Sequence, residues 1–194
     1  MEMAFDAMSD VSDEALLVLY ANGDANAARS LTLRLAPRVM GHAFRLLGDR
    51  AEAEDVTQEA LLRLWKIAAD WRQGEAQVST WLYRVTANLC MDRLRKVRPA
   101  GLDAAPDVAD GAPSADARMI ARARADALNE ALLALPERQR EAVSLRHIEG
   151  LKNPEIAEIM DITVEAVESL TARGKRALSK ALGKRRAELG FYDG

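Results

Sequence analysis

The sequence predicts an all-α protein, two small helical domains joined by a flexible acidic linker, and three observations predict it. Apolar residues recur at spacings of three and four along both halves, and Val, Ile and Thr nowhere alternate with polar residues over a strand's length. Residues 99–117 carry three prolines, two glycines, four aspartates and no basic residue. Such a stretch buries too little surface to offset the entropy lost on ordering its backbone, so it reads as a linker. The chain of 194 residues, 49% hydrophobic, is long enough for a core on each side of it. The domains are expected over residues 10–98 and 118–190.

The first domain reads as four helices, near residues 12–21, 24–47, 50–70 and 79–97. Gly48-Asp49 breaks the second from the third, and Gln73-Gly74-Glu75 breaks the third from the fourth. The second domain reads as helices near 118–134, 137–147, 154–160 and 164–186. Pro136 stands where a first-turn proline is tolerated. Asn153 is expected to cap a helix whose first residue is Pro154, and Thr163 to cap the last helix. A short helix, the break Asp161-Ile162-Thr163 and a long helix together have the dimensions of a helix-turn-helix.

Several function classes are excluded by what the sequence lacks. Cys90 is alone, so no disulfide forms within the chain, and His42 and His147 are too far apart in sequence to suggest a metal site. No P-loop, GxGxxG or GxSxG occurs, and paired carboxylates on a surface helix are ordinarily solvated. The expectation is a protein that is not an enzyme and has no cofactor. No run of eighteen apolar residues exists, and residues 1–6 lack the basic-then-apolar order of a secretory signal. A cytoplasmic protein with no membrane insertion of its own is expected.

The net charge of −3 conceals an uneven distribution. Residues 84–98 carry Arg84, Arg93, Arg95, Lys96 and Arg98 against Asp92 alone, and residues 173–186 carry seven basic side chains and no acid. Two basic patches flank the acidic linker. On a helical wheel the last helix gathers Ala166, Val167, Leu170, Gly174, Ala177, Leu178 and Ala181 on one face. Glu165, Glu168, Ser169, Ala172, Arg173, Lys175 and Arg176 fill the other. Small residues in the middle of that polar face suit close entry into a major groove.

The third helix places Ala53, Thr57, Ala60, Leu61, Leu64 and Ala68 on a core face, with Asp55, Gln58, Glu59, Leu62 and Lys66 opposite. Leu62 amid acids fits a protein-docking surface, and equally a single exposed leucine. In the fourth helix Arg84, Asn88, Met91 and Arg95 form a stripe beside Trp81, with Leu82, Val85 and Leu89 behind. Trp71, Trp81 and Tyr83 are expected around the loop 72–79, which carries Arg72, Gln73 and Ser79. Aromatic faces beside cations hold unstacked single-stranded bases, although a tryptophan is more often simply core.

Three stretches, in order, resemble the extracytoplasmic-function (group four) sigma factors. Glu54-Asp55-Val56-Thr57-Gln58-Glu59-Ala60-Leu61-Leu62-Arg63-Leu64-Trp65 is similar to that family's helix for binding core RNA polymerase. Ser79-Thr80-Trp81-Leu82-Tyr83-Arg84-Val85-Thr86-Ala87-Asn88-Leu89-Cys90-Met91-Asp92-Arg93-Leu94-Arg95 is similar to its promoter-melting, minus-ten-reading helix. Leu135-Pro136-Glu137-Arg138-Gln139-Arg140-Glu141-Ala142, continuing through Leu145-Arg146 and Glu149-Gly150-Leu151 to Glu155-Ile156-Ala157-Glu158-Ile159, resembles its minus-thirty-five domain. The resemblance implies sigma region 2 over residues 10–98 and region 4 over 118–190. Partners would be core polymerase, at its beta-prime clamp and beta flap, promoter DNA and an anti-sigma factor. Asp55, Gln58, Glu59, Leu62 and Lys66 would dock on polymerase; Arg72, Gln73, Ser79, Trp81, Arg84, Asn88 and Arg95 would hold the opened minus-ten strand. Glu165, Glu168, Ser169, Ala172, Arg173 and Arg176 would face the minus-thirty-five duplex.

The reading helix departs from the family pattern. Relatives place a basic residue where this chain has Glu168, and Leu170 falls on the packing face, so promoter sequence does not carry over. A carboxylate there either accepts from a cytosine amino group in the major groove or pairs with Lys175 or Thr171 and reads nothing. Two rivals remain: a stand-alone helix-turn-helix regulator, which has no use for the Asp55–Leu62 stripe, and a sigma mimic that titrates an anti-sigma factor, which has no use for the basic stripes.

Overall fold

Local signals decide where the helices of the first half begin. The Ser12 hydroxyl accepts from the Ala15 N–H at 3.2 Å and caps α1 (Asp13–Ala21), whose first turn carries Asp13 and Glu14 at the positive end of the helix dipole. The chain turns at Gly23, where φ is +96°, and Asp24 Oδ1 accepts from the Asn26 N–H at 2.8 Å as α2 (Ala25–Leu47) starts. α3 (Arg50–Ile67) follows and ends in one 3-10 turn, Ala68–Asp70, before α4 (Val78–Val97). The cap of α4 comes from a distance: Glu14 Oε1 in α1 accepts from the Val78 N–H at 3.1 Å. This computed structural model describes Met8, residues 10–72, Gly74, residues 77–97, residues 115–183 and Arg185.

Two compact units divide the chain, Met1–Phe44 with Arg50–Pro99, and Arg45–Asp49 with Ala100–Gly194. The core of the first unit takes Leu16 and Leu17 from α1, Leu31, Leu35 and Val39 from α2, Val56, Ala60 and Leu64 from α3, and Leu82 from α4, all at 2% exposure or less. Each such leucine or valine contributes ~1.5–3 kcal/mol of burial. Tyr20 and Trp65 meet edge to face at 4.8 Å. Arg34 donates to the Asp13 carboxylate at 2.7 Å and to the Val11 carbonyl at 2.9 Å, so the segment before α1 is held against α2. Tyr83 does not border the 72–79 loop as expected. It is 2% exposed, its ring 5.3 Å from buried His42, with the Arg38 guanidinium 5.7 Å from its centroid. Trp81 and Tyr83 are two residues apart, and a helix turns them by about 200°. They cannot both line one loop.

In the second unit α5 (Ala115–Leu133) begins within the stretch read as linker; residues 99–114 lie outside the described residues. Pro136 is the cap of α6 (Glu137–Val143) rather than a member of its first turn. The expected continuous helix to 147 changes character: Ser144–Ile148 is a π turn, closed by the Glu149 N–H bonding the Ser144 carbonyl at 3.0 Å. α7 (Asn153–Met160) starts one residue early, because the extended backbone is at Lys152, whose N–H donates to Glu155 Oε2 at 2.7 Å. Asn153 is therefore inside the helix and its side chain is released from capping. α7 ends at Asp161 in the left-handed region (φ 52°), which a short polar side chain tolerates. Thr163 Oγ1 then accepts from the Ala166 N–H at 3.2 Å, as expected of the cap of α8 (Val164–Gly183).

Leu132, Leu135 and Val143 form a cluster with Leu128 and Leu178 packed on it, and Ile156, Ile159 and Val167 join α7 to α8. Gly174 lets α6 approach α8. A Cβ there would stand 2.5 Å from Val143 Cγ2 and 3.3 Å from the Gln139 carbonyl oxygen. The packing face of α8 is narrower than the wheel indicates: Ala177 and Ala181 are exposed, since α5, α6 and α7 cover one stripe and leave its flank to solvent. No helix among the described residues is long and apolar enough to cross a membrane.

Candidate nucleic-acid interface

Three faces carry the sequence-predicted residues. On α3 the wheel sorts as expected: Ala53, Thr57, Ala60, Leu61, Leu64 and Ala68 are buried, while Asp55, Gln58 and Lys66 are exposed around Leu62, which is 58% exposed. Glu59 is half-buried and not free. Arg63 Nη2 donates to its Oε1 at 2.5 Å, and Arg93 Nη2 lies 4.0 Å from Oε2. Beside the stripe α2 and α3 leave a groove of about 470 Å³, lined on one side by Leu33, Pro37 and Met40 and on the other by Glu54, Gln58 and Leu61. Leu33, on the α2 side of this groove, is itself 51% exposed.

The second face belongs to α4. Arg84, Asn88 and Arg95 are exposed and Met91 half-buried along one stripe, with Leu82 and Leu89 buried behind and Val85 half-buried. Arg95 Nη2 donates to Asp92 Oδ1 at 2.5 Å. Arg93, counted in sequence with this basic patch, leaves it: its guanidinium bonds the Glu52 carbonyl at 2.7 Å and the Glu52 carboxylate at 3.1 Å. At the start of α4, Trp81 in its first turn and Trp71 from the preceding segment stand edge to face with centroids 6.2 Å apart. Both are half-buried, and the Trp71 indole N–H is buried with no hydrogen-bond partner among the described residues. Arg72 is exposed and Ser79 half-buried; Gln73 and Arg98 lie outside the described residues.

The third face is the polar side of α8, where Glu165, Glu168, Ser169, Ala172, Arg173, Lys175 and Arg176 are all exposed. Its own backbone N–H and the Thr163 hydroxyl hold the Glu165 carboxyl below the usual range, so it stays ionised. Glu168 pairs with neither residue considered for it. The Thr171 hydroxyl is buried without a partner, and Glu168 Oε1 instead accepts from Asn153 Nδ2 at 3.4 Å. Arg173 Nε donates back to the Ser169 carbonyl at 3.2 Å and so lies along the helix. Of the terminal basic run, Arg185 bonds Glu130 at 2.5 Å, while Lys184 and Arg186 lie outside the described residues. Sequence reasoning missed His147, exposed beside this face. Burial first, then Lys175 and Arg146, hold its imidazole below the usual histidine range. Its only signal in sequence was the neighbouring Arg146.

Residues 31–99 match the family model for Sigma-70 region 2, and residues 125–178 the model for Sigma-70, region 4. The chain is 33% identical over 172 residues to the ECF RNA polymerase sigma factor SigW of Bacillus subtilis, covering 82% of this chain and 91% of SigW. It is 32% identical over 182 residues to the ECF sigma factor SigM of Mycobacterium tuberculosis, covering 93% and 90%. The fold is shared with the sigma factor RpoE of Bartonella quintana, solved with the anti-sigma factor NepR, at TM-score 0.67, 21% identity, and coverage of 80% of this chain and 96% of that one. CnrH, solved with the cytosolic domain of CnrY, gives TM-score 0.65, 24% identity, and coverage of 89% and 97%. Sigma factors are not enzymes. With both regions in family order and relatives aligned over most of its length, the chain belongs to the extracytoplasmic-function sigma factors of the sigma-70 family.

Proposed function

We propose that the three faces divide the work of a sigma factor, which binds core RNA polymerase, directs it to a promoter and opens the DNA. The α3 stripe of Asp55, Gln58, Glu59, Leu62 and Lys66 docks on the beta-prime clamp. Arg72, Gln73, Ser79, Trp81, Arg84, Asn88 and Arg95 hold the opened minus-ten strand. The exposed face of α8 meets the minus-thirty-five duplex, with the beta flap as the polymerase partner of the second unit. Residues 10–98 act as region 2, 118–190 as region 4, and the acidic residues 99–117 join them. An anti-sigma factor is the expected restraint. The chain catalyses nothing and works in the cytoplasm, where the chromosome is.

The observation that carries this reading is the separation of surfaces: an exposed leucine among Asp55, Gln58, Glu59 and Lys66 on α3, and cations with an amide exposed on α4. Acids repel DNA phosphates and suit a protein partner, whereas exposed arginines suit DNA. The test uses reconstituted holoenzyme carrying Arg84→Ala, Asn88→Ala and Arg95→Ala together. Minus-ten opening, read by thymine reactivity, should fall at least tenfold (~1.4 kcal/mol) while binding to a minus-thirty-five duplex is unchanged. Equal losses in both assays would refute the division of labour. A wild-type chain that binds duplex but never core polymerase would be a stand-alone regulator, and one that engages neither polymerase nor promoter a mimic.

A further inference from the structure

Glu168 lies on the exposed face of α8, one turn past Glu165, where a carboxylate near the DNA backbone is repelled by phosphate. The compensation available in the major groove is a hydrogen bond from the 4-amino group of cytosine. Whether Glu168 can make that bond depends on what restrains it. A lysine partner would set an opposite charge against it; Asn153 carries none. The Asn153 amide, half-buried in the first turn of α7, donates through Nδ2 to Glu168 Oε1 at 3.4 Å and reaches across the helix-turn-helix from fifteen residues away. The amide is neutral and brings no opposing charge to the carboxylate. It engages one oxygen, and Oε2 has no partner among the described residues. Asn153 is available for this because the helix cap falls on Lys152.

We propose that Asn153 is a positioning residue for base reading: it holds Glu168 so that the second carboxylate oxygen accepts from a cytosine in the minus-thirty-five major groove. The inference rests on α8 being the reading helix and extends that reading to a specificity determinant outside α8.

The experiment selects a duplex library, randomised over the minus-thirty-five element and fixed at minus ten, with holoenzyme. The proteins are wild type, Glu168→Gln, Asn153→Ala, Asn153→Asp and the Asn153→Ala/Glu168→Gln double variant. Wild type should enrich cytosine at one position. Glu168→Gln should lose that preference by roughly five- to a hundredfold, the worth of one good base contact. Both Asn153 variants should lose it at the same position and no other, Asp because it repels the Glu168 carboxylate instead of donating to it. The double variant should match Glu168→Gln alone, since residues acting through one contact are not additive. A purely structural role for Asn153 would lower binding to all sequences alike and leave the preference intact; that result overturns the proposal. So does a preference lost in Glu168→Gln and kept in both Asn153 variants. If Glu168→Gln selects as wild type does, the proposal fails. Arg173→Ala with Arg176→Ala then decides the underlying reading: lost duplex binding keeps α8 as the interface, and unchanged binding removes it.

Discussion

Glu141→Gln should stabilise the second unit at alkaline pH and remove most of a pH dependence that the wild type carries. Glu141 is in α6 at 3% exposure, and its Oε2 has no hydrogen-bond partner among the described residues. Burial pushes its carboxyl up to about 7 from an ordinary 4.5, against the opposing pull of Arg138. The folded pKa is the higher one, so the folded state binds the extra proton between pH 4.5 and 7. Stability from this group is complete below pH 4.5 and is lost as pH rises through about 7. At ~1.4 kcal/mol per pH unit, the gap between those values amounts to about 3 kcal/mol by pH 8. Glutamine has the same shape and no proton to lose. Urea unfolding followed by helical circular dichroism should show the variant more stable by up to ~3 kcal/mol at pH 8 and nearly equal to wild type at pH 4.5. Trp65, Trp71 and Trp81 all lie in the first unit, so their fluorescence reports that unit separately. A carbon-13 titration of the Glu141 carboxyl should have its midpoint near 7. A midpoint near 4.5, or a variant no more stable at pH 8 than at pH 4.5 relative to wild type, would refute the reasoning.

Three further outcomes are expected. Leu62→Arg should leave the fold intact, because Leu62 is 58% exposed, and should weaken core polymerase binding by ~2 kcal/mol, about thirtyfold, in a competition assay. Unchanged holoenzyme formation would remove α3 from the docking surface. Glu14→Ala strips the Val78 N–H of its acceptor and should lower the stability of the first unit by about 1 kcal/mol, read from tryptophan fluorescence in urea. Arg173→Ala with Arg176→Ala should flatten the salt dependence of duplex binding by ~0.9 in slope for each phosphate no longer neutralised, whatever the sequence. An unaltered slope would mean that neither arginine meets phosphate.

What sequence alone determined about this protein is what short-range physics determines. Apolar spacing is a local property of the chain, so the helices and the buried side of α3 were legible, as was the helix-turn-helix with its Thr163 cap. The exposed stripe of Asp55, Gln58, Leu62 and Lys66 on α3 was legible for the same reason: each residue's place on a helix follows from its number. Tertiary structure decided which side chains are available. Arg93 counts toward the basic patch of residues 84–98 until the Glu52 carbonyl and carboxylate take it, and Glu59 reads as an unpaired acid of the α3 stripe until Arg63 bonds it. Tyr83 passes for a loop aromatic until α2 supplies His42 and Arg38 to pack on it. Ala177 and Ala181 are apolar on the wheel, but no helix among the described residues covers them. The partner of Glu168 is fifteen residues back on another helix, and Asn153 is free to serve because the extended backbone at Lys152 moves the cap by one residue. Periodicity states which way a side chain points; only the packed neighbours decide whether water, an ion or another residue meets it there.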